Sequence, residues 1–517
     1  MLLLSSRSSI SLLALSVGLV TVAACGSSET TTSTGSPSAG GSSSGTTTAG
    51  GSGEGGNPIV GFTTGTTVTT GTMGSSSSTG TPMVCDPAPT TGPHTWSKSY
   101  GDAGDQYGLA ITHDPTGNVI IAGAFSGALA LGNNTLTSAG TSDIFVAKFA
   151  PDGTPMWAKS FGDGKNQSAR AVAADAQGNI VVVGQFVGSV NFGGGAFTSV
   201  GPNFDDAFIL KLGPQGNHIW SKKFGDINSQ VPHGVAVGPT GDIAMVGDFQ
   251  TTMAFDAVSI TSAGDTDAFV AVFDANGTAK WAKAFGDLAA QSAHAVSFDA
   301  TGNVLLTGDT TGAMDFGQGP LALSGTQNAW AAKLSAAGTV TWGKTYGANK
   351  ASGEGIGADT TGNVYLAGDH EGKIDLGGGA LDTVGGANVF VAKLDPQGKE
   401  LWSNTYGDSM AQHAKGLSVD GKGHAVVAGT FSGAIDFGKG KLPSGGGVDG
   451  FVVKLDTLGC GIWQKGFGDA SFQSASAVSA DATGNVLITG SIAGSATFGG
   501  GTLTAMGDDL FVAKFAP

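Results

Sequence analysis

The sequence predicts an all-β protein: a seven-bladed β-propeller with four antiparallel strands per blade, preceded by a disordered N-terminal tether. Three observations predict it. Trp96, Trp157, Trp220, Trp281, Trp342, Trp402 and Trp463 follow one another at intervals of 61, 63, 61, 61, 60 and 61 residues, and a fixed period is the signature of a repeat architecture. Each unit holds short apolar strands separated by Gly, Pro, Asp and Asn turns, with no sustained 3.6-residue apolar period. The two ends of the repeat region complement each other. Trp96–Tyr100 reads as a fourth strand with no partners before it, and Phe511–Phe515 as a third strand with none after it. The first is expected to finish the last blade and close the ring, which also removes a sheet edge.

Taken in order, residues 1–24 read as an export signal: Arg7, then an apolar run from Ile10 to Ala24. Val22-Ala23-Ala24-Cys25 resembles the lipobox of bacterial lipoproteins, which implies an acylated Cys25 and a membrane anchor. An ordinary secretory signal or an uncleaved anchor are the alternatives. Residues 25–92 are Ser, Thr and Gly with almost nothing apolar. Such a segment cannot bury enough surface to offset its ordering entropy, so it reads as a flexible linker with a reach of about 40–45 Å. Gly41–Gly45 and Gly51–Gly56 match the nucleophile-elbow and dinucleotide patterns, but no strand-turn-helix context surrounds them.

The propeller is expected over 93–517. The second unit displays its parts: strands over Arg170–Asp175, Asn179–Phe186, Ala207–Leu212 and Trp220–Phe224, with short pieces at Val190–Phe192 and Ala196–Thr198. Of 517 residues 89 are glycine, which suits many tight turns, and 12% are charged. The net charge of −16 argues against a nucleic-acid partner.

Comparing the units with one another separates scaffold from site. Asp-x-x-Gly-Asn turns recur at Asp114, Asp175, Asp299, Asp359 and Asp481, with variants at Gly238 and Asp420. One Asp per turn spread around a ring does not converge on an ion, so no metal is expected. Six units carry Gly-Asp with Gln four residues later (Asp102 and Gln106, for example), whereas the fifth has Ala348 and Ser352. Losing both together predicts that the carboxylate and amide bond within one loop or across neighbouring blades. Four residues before the turn Asp stands Ala or Gly, and one further on an aliphatic residue expected to face the core. Five residues before the turn Asp the residue varies: Leu109, Arg170, His233, His294, Glu354, Lys415 and Ser476. These are placed where each innermost strand begins, ringing one mouth of the channel. Arg170, His233, His294 and Lys415, with Glu354 among them, would form a locally basic rim suited to a protein or anionic glycan ligand; a solvated rim without a ligand is the alternative. Cys85 and Cys460 are expected to form a disulfide, because neighbouring blades bring them together and an exported chain permits it.

The run Asp481-Ala-Thr-Gly-Asn485-Val486 followed by Asp509-Leu-Phe-Val-Ala-Lys514 is similar to the bacterial SBBP repeat, and the resemblance recurs seven times over about 95–517. It implies a propeller and an envelope location, on the outer membrane or cell surface, but no catalytic residues. Asp395-Pro-Gln-Gly398-Lys399-Glu-Leu-Trp402 is similar to the tryptophan-docking motif of quinoprotein dehydrogenases, in which the Trp docks blade against blade. Neither a cofactor nor a nucleophile–base–acid set is expected. The reading is a lipid-anchored binding or interaction scaffold, monomeric, with a glycan-active envelope hydrolase or lyase, or a structural or adhesive surface protein, as alternatives.

Overall fold

The computed structural model describes Cys85 and residues 92–517. The expected signal (1–24), the acylated Cys25 and nearly all of the linker (25–92) lie outside the described residues.

Seven four-stranded antiparallel sheets form the blades. Blade 2 shows the pattern. Its innermost strand is Gln167–Ala174, followed by Ile180–Phe186, Asp206–Leu212 and the outermost His218–Phe224. The second and third strands are buried along nearly their whole length, because neighbouring blades cover both faces, and they accordingly read as unbroken apolar runs. The short pieces pair as a hairpin, Ser189–Asn191 with Ala196–Thr198. Innermost strands of neighbouring blades touch all the way round, the last against the first.

Closure occurs as the ends predict. His94–Tyr100 pairs with Asp509–Phe515 and so becomes the outermost strand of blade 7. Cys85 and Cys460 form a disulfide, Cα–Cα 5.5 Å, tying the segment before that strand to blade 6.

The repeated tryptophans hook each blade to the next. Trp157 Nε1 donates to Pro214 O at 3.2 Å, Trp281 to Ala336 O at 2.9 Å and Trp402 to Thr457 O at 3.0 Å, each acceptor lying in the turn between third and fourth strands of the following blade. Glycine is required there. Gly153 has φ +81°, and a Cβ on it would lie 2.9 Å from the Trp96 ring. Six indoles dock this way. Trp463 Nε1 has no partner among the described residues, because the third and fourth strands of blade 7 come from opposite ends of the chain and no turn joins them. Trp463 packs instead on Phe515, ring centroids 5.5 Å apart. Only Trp342 and Trp463 are buried; the other five are half-buried.

The turn aspartates are structural. Asp114 Oδ1 accepts from the Thr116 and Asn118 amides, and its Oδ2 meets Lys148 Nζ at 2.8 Å. The same buried Lys–Asp pair recurs as Lys211–Asp175, Lys333–Asp299, Lys393–Asp359 and Lys454–Asp420. Blade 3 has lost both partners together, with Gly238 and Val272 in their places.

The Asp and Gln of the junction loops bond within one loop. Gln106 Nε2 donates to Asp102 Oδ1 at 2.8 Å, and Asp102 Oδ2 accepts from Ala128 N. One expectation needs correction. The residue in the glutamine's place in blade 5 is Ala351, not Ser352. Ala351 pairs with His370 as Gln412 pairs with Phe431, since the shortened loop moves the register by one.

Candidate functional site: the channel

Every innermost strand carries a register break at the same point: between Gly108 and Ala110, Ala169 and Ala171, Pro232 and Gly234, Ala293 and Ala295, Gly353 and Gly355, Ala414 and Gly416, and Ala475 and Ala477. The residue left out of the ladder is in each case the variable one: Leu109, Arg170, His233, His294, Glu354, Lys415 or Ser476. A bulge bends the strand and re-aims one side chain. These seven line a single cavity of about 250 Å³ on the propeller axis. Their depth differs from expectation. Arg170 is the fourth of eight residues in its strand, so the ring sits midway along the innermost strands and not at their starts. The aliphatic residue two positions on also departs from expectation in part: Val235, Val296, Leu417 and Val478 remain half-exposed along the channel.

The ring is not simply basic. His233 Nε2 meets Asp248 Oδ2 at 2.6 Å, His294 Nε2 meets Asp309 Oδ1 at 2.9 Å, and His413 Nδ1 meets Asp369 Oδ2 at 3.2 Å. Glu354 Oε1 lies 3.4 Å from His294 Nδ1. Burial alone would lower the His294 pKa, but the Glu354 and Asp309 carboxylates outweigh it and hold the imidazole well above its ordinary value. Glu354 responds in the opposite sense: burial would raise it, yet the His294 charge keeps its carboxyl well below the usual range. For Asp369 burial prevails and raises the carboxyl despite His413.

Ser352, His294 and Asp309 occur in the order of a hydrolytic triad, with Ser352 Oγ 3.3 Å from His294 Nδ1. The chemistry does not follow. The Ser352 hydroxyl donates to Glu354 Oε1 at 2.6 Å, and His294 already carries the proton that a general base would have to accept.

Two cations remain. Arg170 donates through Nε to Gln185 Oε1 at 3.2 Å, and neither Arg170 nor Lys415 forms an ion pair among the described residues. Both are exposed to the channel, whereas His233, His294 and Glu354 are half-buried. Arg170 in blade 2 and Lys415 in blade 6 flank the neutral sector formed by Ser476 of blade 7 and Leu109 of blade 1.

The carboxylates Asp248, Asp309 and Asp369, which pair with the histidines, are missed by comparing the first strands alone. Their signal is a second variable position, the sixth residue of each second strand: Ala124, Gln185, Asp248, Asp309, Asp369, Thr430 and Ser491.

No family model matches the chain. It is 20% identical to an uncharacterized WD repeat-containing protein, L264, of Acanthamoeba polyphaga mimivirus, over 76% of this chain and 36% of the relative. The chain thus spans about a third of that protein's length. Among solved structures it is similar to the Pan2 WD40 domain of Neurospora crassa (11% identity, TM-score 0.41, covering 82% of this chain and 98% of that one). It is also similar to the WD40 β-propeller domain of Doa1 (9% identity, TM-score 0.38, 82% and 96%). These likenesses concern the fold alone.

Proposed function

We propose that the chain is a lipid-anchored β-propeller of the bacterial cell envelope, on the outer membrane or cell surface, that works as a monomeric binding scaffold for an anionic ligand. The observation that carries the ligand class is the pair Arg170 and Lys415. They are cations that form no ion pair among the described residues, with Asp205 and Asp248 facing Arg170 and Glu354 and Asp369 facing Lys415 at longer range, in a channel whose histidines are paired with carboxylates. A carboxylate seated against Leu109 and Ser476 would meet both, in a site where water is partly excluded and charge attraction is stronger than in bulk solvent. The anchoring half of the proposal is supported by the sequence before Cys25, the resemblance to SBBP repeat lipoproteins and a disulfide that suits an oxidising compartment.

Titration calorimetry with a glutamate-containing peptide and with an oligogalacturonate tests the ligand. The expected outcome is binding of at least one anion that falls about tenfold or more in Arg170→Ala/Lys415→Ala, the loss of one charge-assisted hydrogen bond or more. Binding unchanged in that variant places the site elsewhere. Palmitate labelling that persists in Cys25→Ser would overturn the anchor.

A further inference from the structure

The two faces of the propeller are unlike. One is built from the turns that join first to second and third to fourth strands. These are short and polar, and Leu458 is the one large hydrophobic residue left exposed on them among the described residues. The opposite face is built from the junction loops and from the loops entering each third strand. Of thirteen exposed large hydrophobic residues, eight lie on this face. Phe204 and Ile227 stand at the junction of blades 2 and 3, Leu288 at 3 and 4, Met410 at 5 and 6, Phe472 at 6 and 7, and Met506 at 7 and 1. Leu288 is 82% exposed, Met506 74% and Ile227 68%. The two loop types are packed together at each junction. Gly264 lies against Leu288 and Gly386 against Met410 so closely that a Cβ on either would clash. The apolar side chains are therefore held on a packed rim.

The channel site leans toward this same face. His233, His294 and Arg170 find their partners on Asp248, Asp309 and Gln185, each the penultimate residue of a second strand that ends there. We infer that the loop face is the docking surface for a protein partner that inserts one carboxylate side chain into the channel, between Arg170 and Lys415. This rests on the anion site proposed above. The chemistry selects protein over glycan in two ways. The exposed rim residues are Leu, Ile, Met and Phe, which bury apolar surface but offer a sugar no hydrogen bonds, and clustered exposed apolar residues mark protein interaction sites. A cavity of about 250 Å³ holds a side chain, while small-molecule sites usually occupy about 300–1,000 Å³.

A displayed library of random twelve-residue peptides, selected on the purified full chain, tests the inference. Enriched peptides are expected to place Asp or Glu among apolar residues. A synthetic copy should lose about tenfold or more in affinity when that acid becomes its amide, in Leu288→Ser/Met410→Ser, and in Arg170→Ala/Lys415→Ala. Leu458→Ser on the other face should leave binding unchanged; a loss there would overturn the inference by showing no preference between faces. Affinity lost with the channel pair alone keeps the anion site and overturns the docking face. Affinity lost with the loop pair alone keeps the face and overturns the inserted carboxylate. An oligogalacturonate that binds where no peptide is enriched, and that Leu288→Ser/Met410→Ser does not weaken, overturns the protein partner.

Discussion

A buried lysine and a buried aspartate hold each other in five of the seven blades, and blade 3 shows what happens without them. Lys148 and Asp114 are each 3% exposed. Removing one partner leaves a charge uncompensated in the interior, which typically costs about 3–5 kcal/mol, while replacing both can be near neutral. Gly238 and Val272 are that double replacement, already accommodated within this ring. Lys148→Val should therefore destabilise blade 1 strongly, and Asp114→Gly/Lys148→Val should recover most of the loss. A denaturant double-mutant cycle measures this; a double variant as unstable as the sum of the singles would show that the turn needs its Asp for its own amides. The pairing was within reach of the sequence, since the loss of Asp and Lys in the same unit is visible there. No local spacing connects the two residues, which lie 34 positions apart in the chain (148 against 114). By contrast, the seven channel residues were legible from their variation alone. Their bulges were not, since a bulge is a property of register and leaves no trace in composition. The carboxylates that pair with the histidines belong to a neighbouring strand, so the first strands by themselves suggest a basic ring where a mixed one stands.

At the scale of the element, five of the seven blades bring a second carboxylate into the interior at the start of the third strand. Asp143, Asp206, Asp267, Asp449 and Asp509 open third strands and are nearly fully buried. Asp143 Oδ1 has no partner among the described residues, and it shares the space beside Gly162 with Gln167 Oε1; a Cβ there would meet them at 2.7 and 2.5 Å. That crowding explains the glycine that precedes Asp163. Burial, with the nearby Asp163 charge, raises the Asp143 carboxyl above its ordinary 3.8. A raised folded value means stability that is fully present below the unfolded pKa and is lost as pH rises through the folded one. At neutral pH the ionised carboxylate thus weakens the blade, and Asn328 and Asn388 already fill the same place in blades 4 and 5. Asp143→Asn should raise stability at pH 7, an advantage that shrinks as pH falls toward 4. Melting curves from pH 4 to 8 measure it; a gain independent of pH would show that geometry and not charge is responsible.

Across the whole molecule, the ring is a nearest-neighbour array with one junction built differently from the rest. Six junctions have an indole hydrogen bond to the next turn; the seventh, at Trp463, has no acceptor among the described residues and has other ties. Ala516 N donates to Pro93 O at 2.8 Å, His94–Tyr100 completes the sheet, and the Cys85–Cys460 bond spans 375 residues. Closing so long a loop stabilises by about 4–5 kcal/mol in the chain-entropy model, where strain does not intervene. The period and the complementary ends made this closure legible before any coordinates, because each blade must have four strands and the arithmetic of the ends leaves one solution. Deleting 93–102 removes the last blade's outer strand, exposes the third strand's edge and uncovers Trp463. Deleting 26–80 removes no described contact. The first deletion should lower the melting temperature by many degrees and the second by almost none, and reduction should then shift the melt of the second alone, since only there does the disulfide still clasp a complete ring. Equal melting of the two deletions would mean that the six hydrogen-bonded junctions hold the propeller without its seam.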